Sequence, residues 1–277
     1  MLRTRLAVIT VAVAILLWGG MACAGESGSS LSSDTRWVQA RQDLAQGKAG
    51  EAKAAFEVLL KQYPNEADLQ LFLGISLLRL RDPQAALLAI KKAIEIDPNH
   101  VEARTLLGYV ELEVRGDVNA ALREYRKVIE LKPDRAEAYG NLAVAQKRQG
   151  ELDQAIASLN KALELKPAYA QALTTRGGIF AEQYKWTEAR RDFEQALKLN
   201  PGDDGALYGL SQALREAKDY AGAQQALSQL IARSPNFVYW LEWGRIGLIR
   251  YWWVLLTIAV GWGLKARFMK ARTEANG

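Results

Sequence analysis

The sequence predicts an all-α chain: an α-solenoid of six helix-turn-helix repeats with a C-terminal transmembrane helix. Three observations predict it. Six of the seven prolines, Pro64, Pro98, Pro133, Pro167, Pro201 and Pro235, form a ladder with steps of 34, 35, 34, 34 and 34 residues. Proline cannot continue a helix, so an even proline spacing is an even spacing of helix stops, and a period of about 20–50 residues marks a stacked array. Within each period, small residues recur at two fixed places among apolar residues at helical spacing. Finally, an apolar, tryptophan-rich run follows the last proline.

Taken in order, the chain opens with Arg3 and Arg5, an apolar run from Leu6 to Leu17, and Ala22-Cys23-Ala24. A basic start, a short apolar core and a small-x-small site lay out a secretory signal peptide over 1–24. An uncleaved anchor and lipidation at Cys23 are the alternatives. Residues 25–32, rich in Gly and Ser, read as a linker.

Six repeats follow at 33–66, 67–100, 101–135, 136–169, 170–203 and 204–237. Their eighth residues are Ala40, Gly74, Gly108, Ala143, Gly177 and Ser211. Twelve further on, or thirteen in the third repeat, stand Ala52, Ala86, Ala121, Ala155, Ala189 and Ala223. Four residues after each alanine comes a large apolar side chain, Phe56, Ile90, Tyr125, Leu159, Phe193 and Leu227. That spacing makes an apolar stripe on a helix, and the small residues let two antiparallel helices approach closely. Each repeat turns near Gly47, Asp82, Gly116, Gly150, Lys185 and Asp219, and Pro83 suits the first position of a second helix. The third repeat carries one extra residue before its turn. In the fifth, Arg176 stands where an apolar residue is expected.

This pattern resembles the tetratricopeptide repeat. The fourth repeat fits it most fully, with Tyr139, Leu142, Ala143, Ala155, Leu159, Ala162 and Pro167. The resemblance implies that first helices line a concave groove that holds peptides or partner helices. Carried over to this chain, the groove places give Trp37, Arg41, Leu71, Ile75, Tyr109, Asn141 and Tyr208 as partner-binding residues. Thr174, Gly178 and Gln212 fall at the same places. The lysine, arginine and paired asparagines of the subclass that binds chaperone tails are not matched; only Asn141 sits at such a place.

Residues 238–245 then form a juxtamembrane segment, and 246–264 read as a transmembrane helix whose one charge is Arg250. Trp240, Trp243, Trp252, Trp253 and Trp262 are expected at membrane interfaces. The tail, 265–277, carries Lys265, Arg267, Lys270 and Arg272, and by the positive-inside rule it is cytoplasmic. A buried helix capping the array, or a helix lying on the membrane, are the competing readings.

The formal charge of +5 collects at these ends. Setting the terminal segments aside leaves 28 bases against 29 acids, so the repeat body is near neutral and no nucleic-acid partner is expected. With a single histidine, His100, and a single cysteine, Cys23, one chain can build neither a zinc site nor a disulfide. His100 reads as a surface residue, and Glu188 and Asp192 as solvated charge. No catalytic residue, metal, cofactor or small-molecule substrate is expected. The sequence therefore predicts a non-enzymatic protein-interaction scaffold or assembly factor of the bacterial envelope. Its repeats would lie in the periplasm and be tethered to the inner membrane. The alternative is an integral subunit of a membrane complex that packs through the C-terminal helix.

Overall fold

The computed structural model describes residues 31–275. The signal-peptide reading of 1–24 and most of the 25–32 linker lie outside them. All regular structure among the described residues is helical. The first three repeats are α1 (Thr35–Ala45) with α2 (Ala49–Gln62), α3 (Ala67–Arg79) with α4 (Pro83–Ile96), and α5 (Val101–Tyr109) with α6 (Val118–Leu131). The last three are α7 (Ala136–Gln149) with α8 (Leu152–Leu165), α9 (Ala170–Glu182) with α10 (Trp186–Leu199), and α11 (Asp204–Glu216) with α12 (Tyr220–Arg233). A long helix, α13 (Phe237–Ala275), closes the chain. The helices fall into two compact units divided between Gln154 and Ala155.

The small residues sit where close approach demands them. A Cβ on Gly74 would lie 2.8 Å from Ile90, and one on Gly108 would lie 2.6 Å from Tyr125. The recurring alanines Ala52, Ala86, Ala121, Ala155, Ala189 and Ala223 are all fully buried. Acidic caps start several helices. Asp82, Asp117, Asp203 and Asp219 each accept from a backbone N–H three residues on, satisfying a donor the helix itself cannot. Pro83 is at the first position of α4, as expected.

The extra residue of the third repeat is absorbed as a π-helical turn, Val110–Arg115, between α5 and Gly116. Widening one turn lets the added residue in while Gly116 keeps its place in the helix–helix turn. Inside it, Glu111 is buried and takes both of its hydrogen bonds from Arg115 Nη1, at 3.0 and 2.8 Å.

The intra-repeat turns follow one rule. The left-handed residue is Gly47, Arg81, Gly116, Gly150, Tyr184 and Lys218 in successive repeats. The turn thus lies one residue before the Asp82, Lys185 and Asp219 that the sequence suggested.

Two expectations about the ends change. Leu31, placed in the linker, is buried against the first unit, so the ordered repeat begins before Ser33. Among the described residues no helix is long and apolar enough to cross a membrane, so the expected transmembrane helix 246–264 is not supported. Packing accounts for this. Ile246 is buried with Leu214, Ala223 and Leu227, and Arg250 Nη1 bonds Gln224 Oε1 at 3.3 Å. The first part of the run thus belongs to the repeat fold. Only 251–264 is left, about 21 Å of helix against a hydrocarbon core of about 30 Å.

Candidate functional site

In the first unit the expected apolar groove is largely sealed. Trp37 packs edge-on to Phe72 at 5.0 Å and to Phe56 at 5.7 Å, and is 7% exposed. Leu71 and Ile75 are 4% exposed and belong to the same core. Arg41 lies over this cluster, its guanidinium carbon 5.4 Å from the Trp37 ring and 5.2 Å from Phe72. Arg41 is half-buried. Tyr109 and Asn141 are also half-buried. The Tyr109 hydroxyl is buried without a hydrogen-bond partner. Burial, reinforced by the charge of Glu113, pushes it up to about 12.

The second unit keeps an open cleft of about 320 Å³ between α9 and α11. Thr174, Gly178, Tyr208 and Gln212, all expected groove positions, line it together. The structure adds Trp186, Phe193, Gly205 and Gly209, which groove positions alone did not reveal. A signal was present, since Tyr208 is bracketed by glycines that a helix interior disfavours unless something packs close. That something is Phe193: a Cβ on Gly209 would come within 2.3 Å of its ring, and one on Gly177 within 2.9 Å. The glycines thus let Phe193 form the floor. Thr174 Oγ1 donates to Asp203 Oδ2 at 2.7 Å, which fixes one wall. The aromatic floor and walls favour a bulky apolar side chain, and the Gln212 carboxamide offers a donor and an acceptor suited to a peptide backbone.

Beside the cleft, Arg176 reaches across α9 to α10 and pairs with Asp192. Asp192, expected to be solvated, is 3% exposed. In the first unit His100 is likewise no free surface group. Its Nε2 is 3.1 Å from Asp68 Oδ1 and its Nδ1 3.5 Å from Glu102 Oε2, and Arg135 completes the group on Glu102 at 3.0 Å.

The tryptophans divide. Trp243 Nε1 donates to Ser228 Oγ at 3.0 Å, docking α13 on α12, and Trp240 packs edge-on to Trp243. Trp252, Trp253 and Trp262 are exposed. From Ile249 to Trp262 exposed apolar side chains cover most of the circumference of α13, leaving one stripe of Arg250, half-buried Val254, Thr257 and Gly261.

Comparison with known proteins gives the class. Sequence models of the tetratricopeptide repeat match residues 38–101, 115–150, 136–169 and 180–241. The chain carries tetratricopeptide repeats, a protein-interaction fold. Among solved structures it is similar to PilF of Pseudomonas aeruginosa, at 17% identity and a TM-score of 0.70, over 78% of this chain and 99% of that one. It is similar to MamA, at 26% identity and a TM-score of 0.51, over 58% and 93%. It is also similar to YrrB, described as a TPR protein with an unusual peptide-binding site, at 19% identity and a TM-score of 0.53, over 69% and 98%. No curated protein matches the sequence.

Proposed function

We propose that this chain is a non-enzymatic scaffold that captures a partner peptide or helix on its repeats while the free end of α13 holds it at a membrane. The reading rests chiefly on one observation. Helix α13 runs unbroken from its docking on α12 into a stretch whose exposed apolar side chains cover most of its circumference. A helix apolar over so much of its surface is at home against protein or in lipid. Tyr251 would stand at the near interface. Extending the run past Leu264 brings in Lys265, and a long basic side chain can snorkel to the far headgroups. With the basic tail on the cytoplasmic side and an export signal at the start, the repeats would occupy the periplasm of a bacterial envelope, in assembly or docking work.

Partner capture is assigned to the second-unit cleft, with Arg41, Tyr109 and Asn141 as contacts in the first unit. The resemblance to a peptide-binding repeat protein supports the class of partner. The test has two arms. A reporter fused after Gly277, with alkaline extraction of membranes, should place the tail in the cytoplasm and the chain in the pellet. Truncation after Arg250 should release it. Gly178→Leu, which fills the cleft, should abolish capture of partners by the full chain while leaving its helical circular dichroism unchanged. A truncated chain that stays in the membrane pellet would refute the tether, and undiminished capture by Gly178→Leu would refute the cleft.

A further inference from the structure

One face of α13 is docked on the repeats. Tyr239 packs on Tyr208, Glu242 pairs with Arg215, Trp243 bonds Ser228, Ile246 is buried with Leu227, and Arg250 bonds Gln224. The opposite face carries a row of residues at alternating steps of four and three. Phe237, Leu241, Gly244 and Leu248 form it where α13 lies alongside the repeats. Tyr251, Leu255, Ile258 and Trp262 continue it beyond them. Alternating steps of four and three are heptad spacing, and the row keeps it over 26 residues without a charge. An apolar row held in register for more than three heptads marks a helix that coils against another helix.

The row is uncovered even where its neighbours are docked: Phe237 is 74%, Leu241 55% and Leu248 62% exposed. These three stand alongside the repeats, before the stretch assigned to lipid, so lipid does not account for them. Gly244 adds an independent observation. No atom lies within 4 Å of a Cβ built there, so nothing in the chain itself needs a glycine at that place. Glycine inside a helix is disfavoured relative to alanine, and the close passage of a second helix is what its bare backbone permits. The area is also sufficient. Phe237, Leu241, Leu248, Tyr251, Ile258 and Trp262 together expose roughly 800 Å², which is what each partner gives to a standard interface.

We infer that this row of α13 pairs with the same row of a second copy, as a parallel two-stranded coil that makes the protein a dimer. A two-fold axis along the pair sets each Gly244 against the other and leaves α11 and α12 of each copy on the outside, because the docked face is opposite the row. Trp240 and Arg245, both exposed, flank the row on its two sides. In a parallel pair the flank of one helix faces the opposite flank of the other, which brings Trp240 of one copy to Arg245 of the second, a cation over an aromatic ring. The parallel sense also puts both basic tails at one end. The pairing stands without the membrane reading, since its first two heptads lie alongside the repeats. Its consequence is two α9–α11 clefts in one assembly, so a partner with two copies of a motif would be held by both.

The test uses the full chain in a Cys23→Ser background, in mild detergent, with single cysteines at Leu241→Cys, Leu248→Cys or Ile249→Cys. Ile249 is exposed on α13 but off the row, and serves as the reference. Sedimentation equilibrium of the parent should give twice the chain mass. On oxidation, cysteines at 241 and 248 should form disulfide-linked dimers and the one at 249 should not. An antiparallel pair would carry the two 241 positions apart, so a link at 241 reads the parallel sense. Leu241→Asp with Leu248→Asp, both exposed places, should leave the helical circular dichroism unchanged and halve the mass. A monomeric parent, a link at 249 as ready as at 241, or an Asp variant that stays dimeric would overturn the pairing. A monomeric parent that still pellets with membranes overturns the pairing and leaves the tether standing. A dimer released from membranes by alkaline extraction overturns the tether and leaves the pairing standing.

Discussion

Arg176 grips Asp192 with two parallel hydrogen bonds, Nε to Oδ2 at 2.7 Å and Nη2 to Oδ1 at 2.8 Å, while its Nη1 holds Asn160 Oδ1 at 2.7 Å. The pair explains why the fifth repeat has an arginine at an apolar place: the matching residue across the helix pair is an aspartate, not a hydrophobe. The two substitutions make sense only together. Arg176→Leu restores the usual repeat residue but strands a buried carboxylate, at a cost of roughly 3–5 kcal/mol. Adding Asp192→Leu should recover most of that loss, since two hydrophobes can replace a buried ion pair at little cost. Urea unfolding of the single and double variants checks this. A single variant as stable as the parent would mean the pair has little energetic role.

Phe193 and Gly209 give a test of the cleft floor. Gly209→Ala puts a methyl within 2.3 Å of the ring, so the ring must move. Overpacking of this kind costs about 1–3 kcal/mol, and Phe193→Leu in the same chain should relieve it. Thermal denaturation of the two variants distinguishes a steric effect from a helix-propensity effect. The propensity effect alone would make Gly209→Ala stabilising.

The repeat fold was legible because its determinants are local and periodic: a proline stop, an alanine contact and a glycine or aspartate turn in each period. The site was legible only by halves. Groove positions led to Tyr208, Thr174, Gly178 and Gln212, which do share a cleft. The same positions led to Trp37, Leu71 and Ile75, which are core, because sequence spacing places a residue on a face without saying what covers that face. Arg41 over the aromatic cluster is such a cover. The bounds of the last helix's apolar run were legible only in part, for a related reason. Hydropathy cannot distinguish Ile246, buried against α12, from Leu256, exposed beyond it.

The glycine turns isolate a purely backbone effect. Nothing lies within 4 Å of a Cβ built on Gly116 or Gly150, at φ +72° and +87°. Alanine at either place therefore clashes with nothing and must only adopt left-handed backbone, which costs roughly 1–2 kcal/mol. Each variant should lower the unfolding midpoint accordingly, and the double variant reads whether the bonds from Arg148 to Glu113 and from Gln149 to Asn119 couple the two turns, independent turns giving the sum. A loss beyond that sum would point to coupling between the third and fourth repeats.

His100 should make the first unit's stability depend on pH in a defined window. Burial opposes its charged form, but Asp68 and Glu102 outweigh it, raising the imidazolium from 6.5 to about 9. Glu102, bonded to His100 and Arg135, is lowered from 4.5 to about 2. A raised histidine contributes stability that is complete below pH 6.5 and is lost as pH climbs through 9. A lowered glutamate contributes stability that is complete above pH 4.5 and is lost as pH falls through 2. Between pH 4.5 and 6.5 both act, so stability should be greatest there and decline on each side. Protonation also sets the local geometry. The charged ring has no lone pair on Nδ1, so it gives up the 3.4 Å contact from the Ala103 N–H and turns that nitrogen to Glu102 as a donor. His100→Asn keeps a side chain able to cap α5 but cannot titrate. It should abolish the decline between pH 6.5 and 9 and shrink the acid limb to what Arg135 and the backbone N–H sustain on Glu102, as read from urea midpoints across the range. A decline that persists in His100→Asn would assign the alkaline loss to another group.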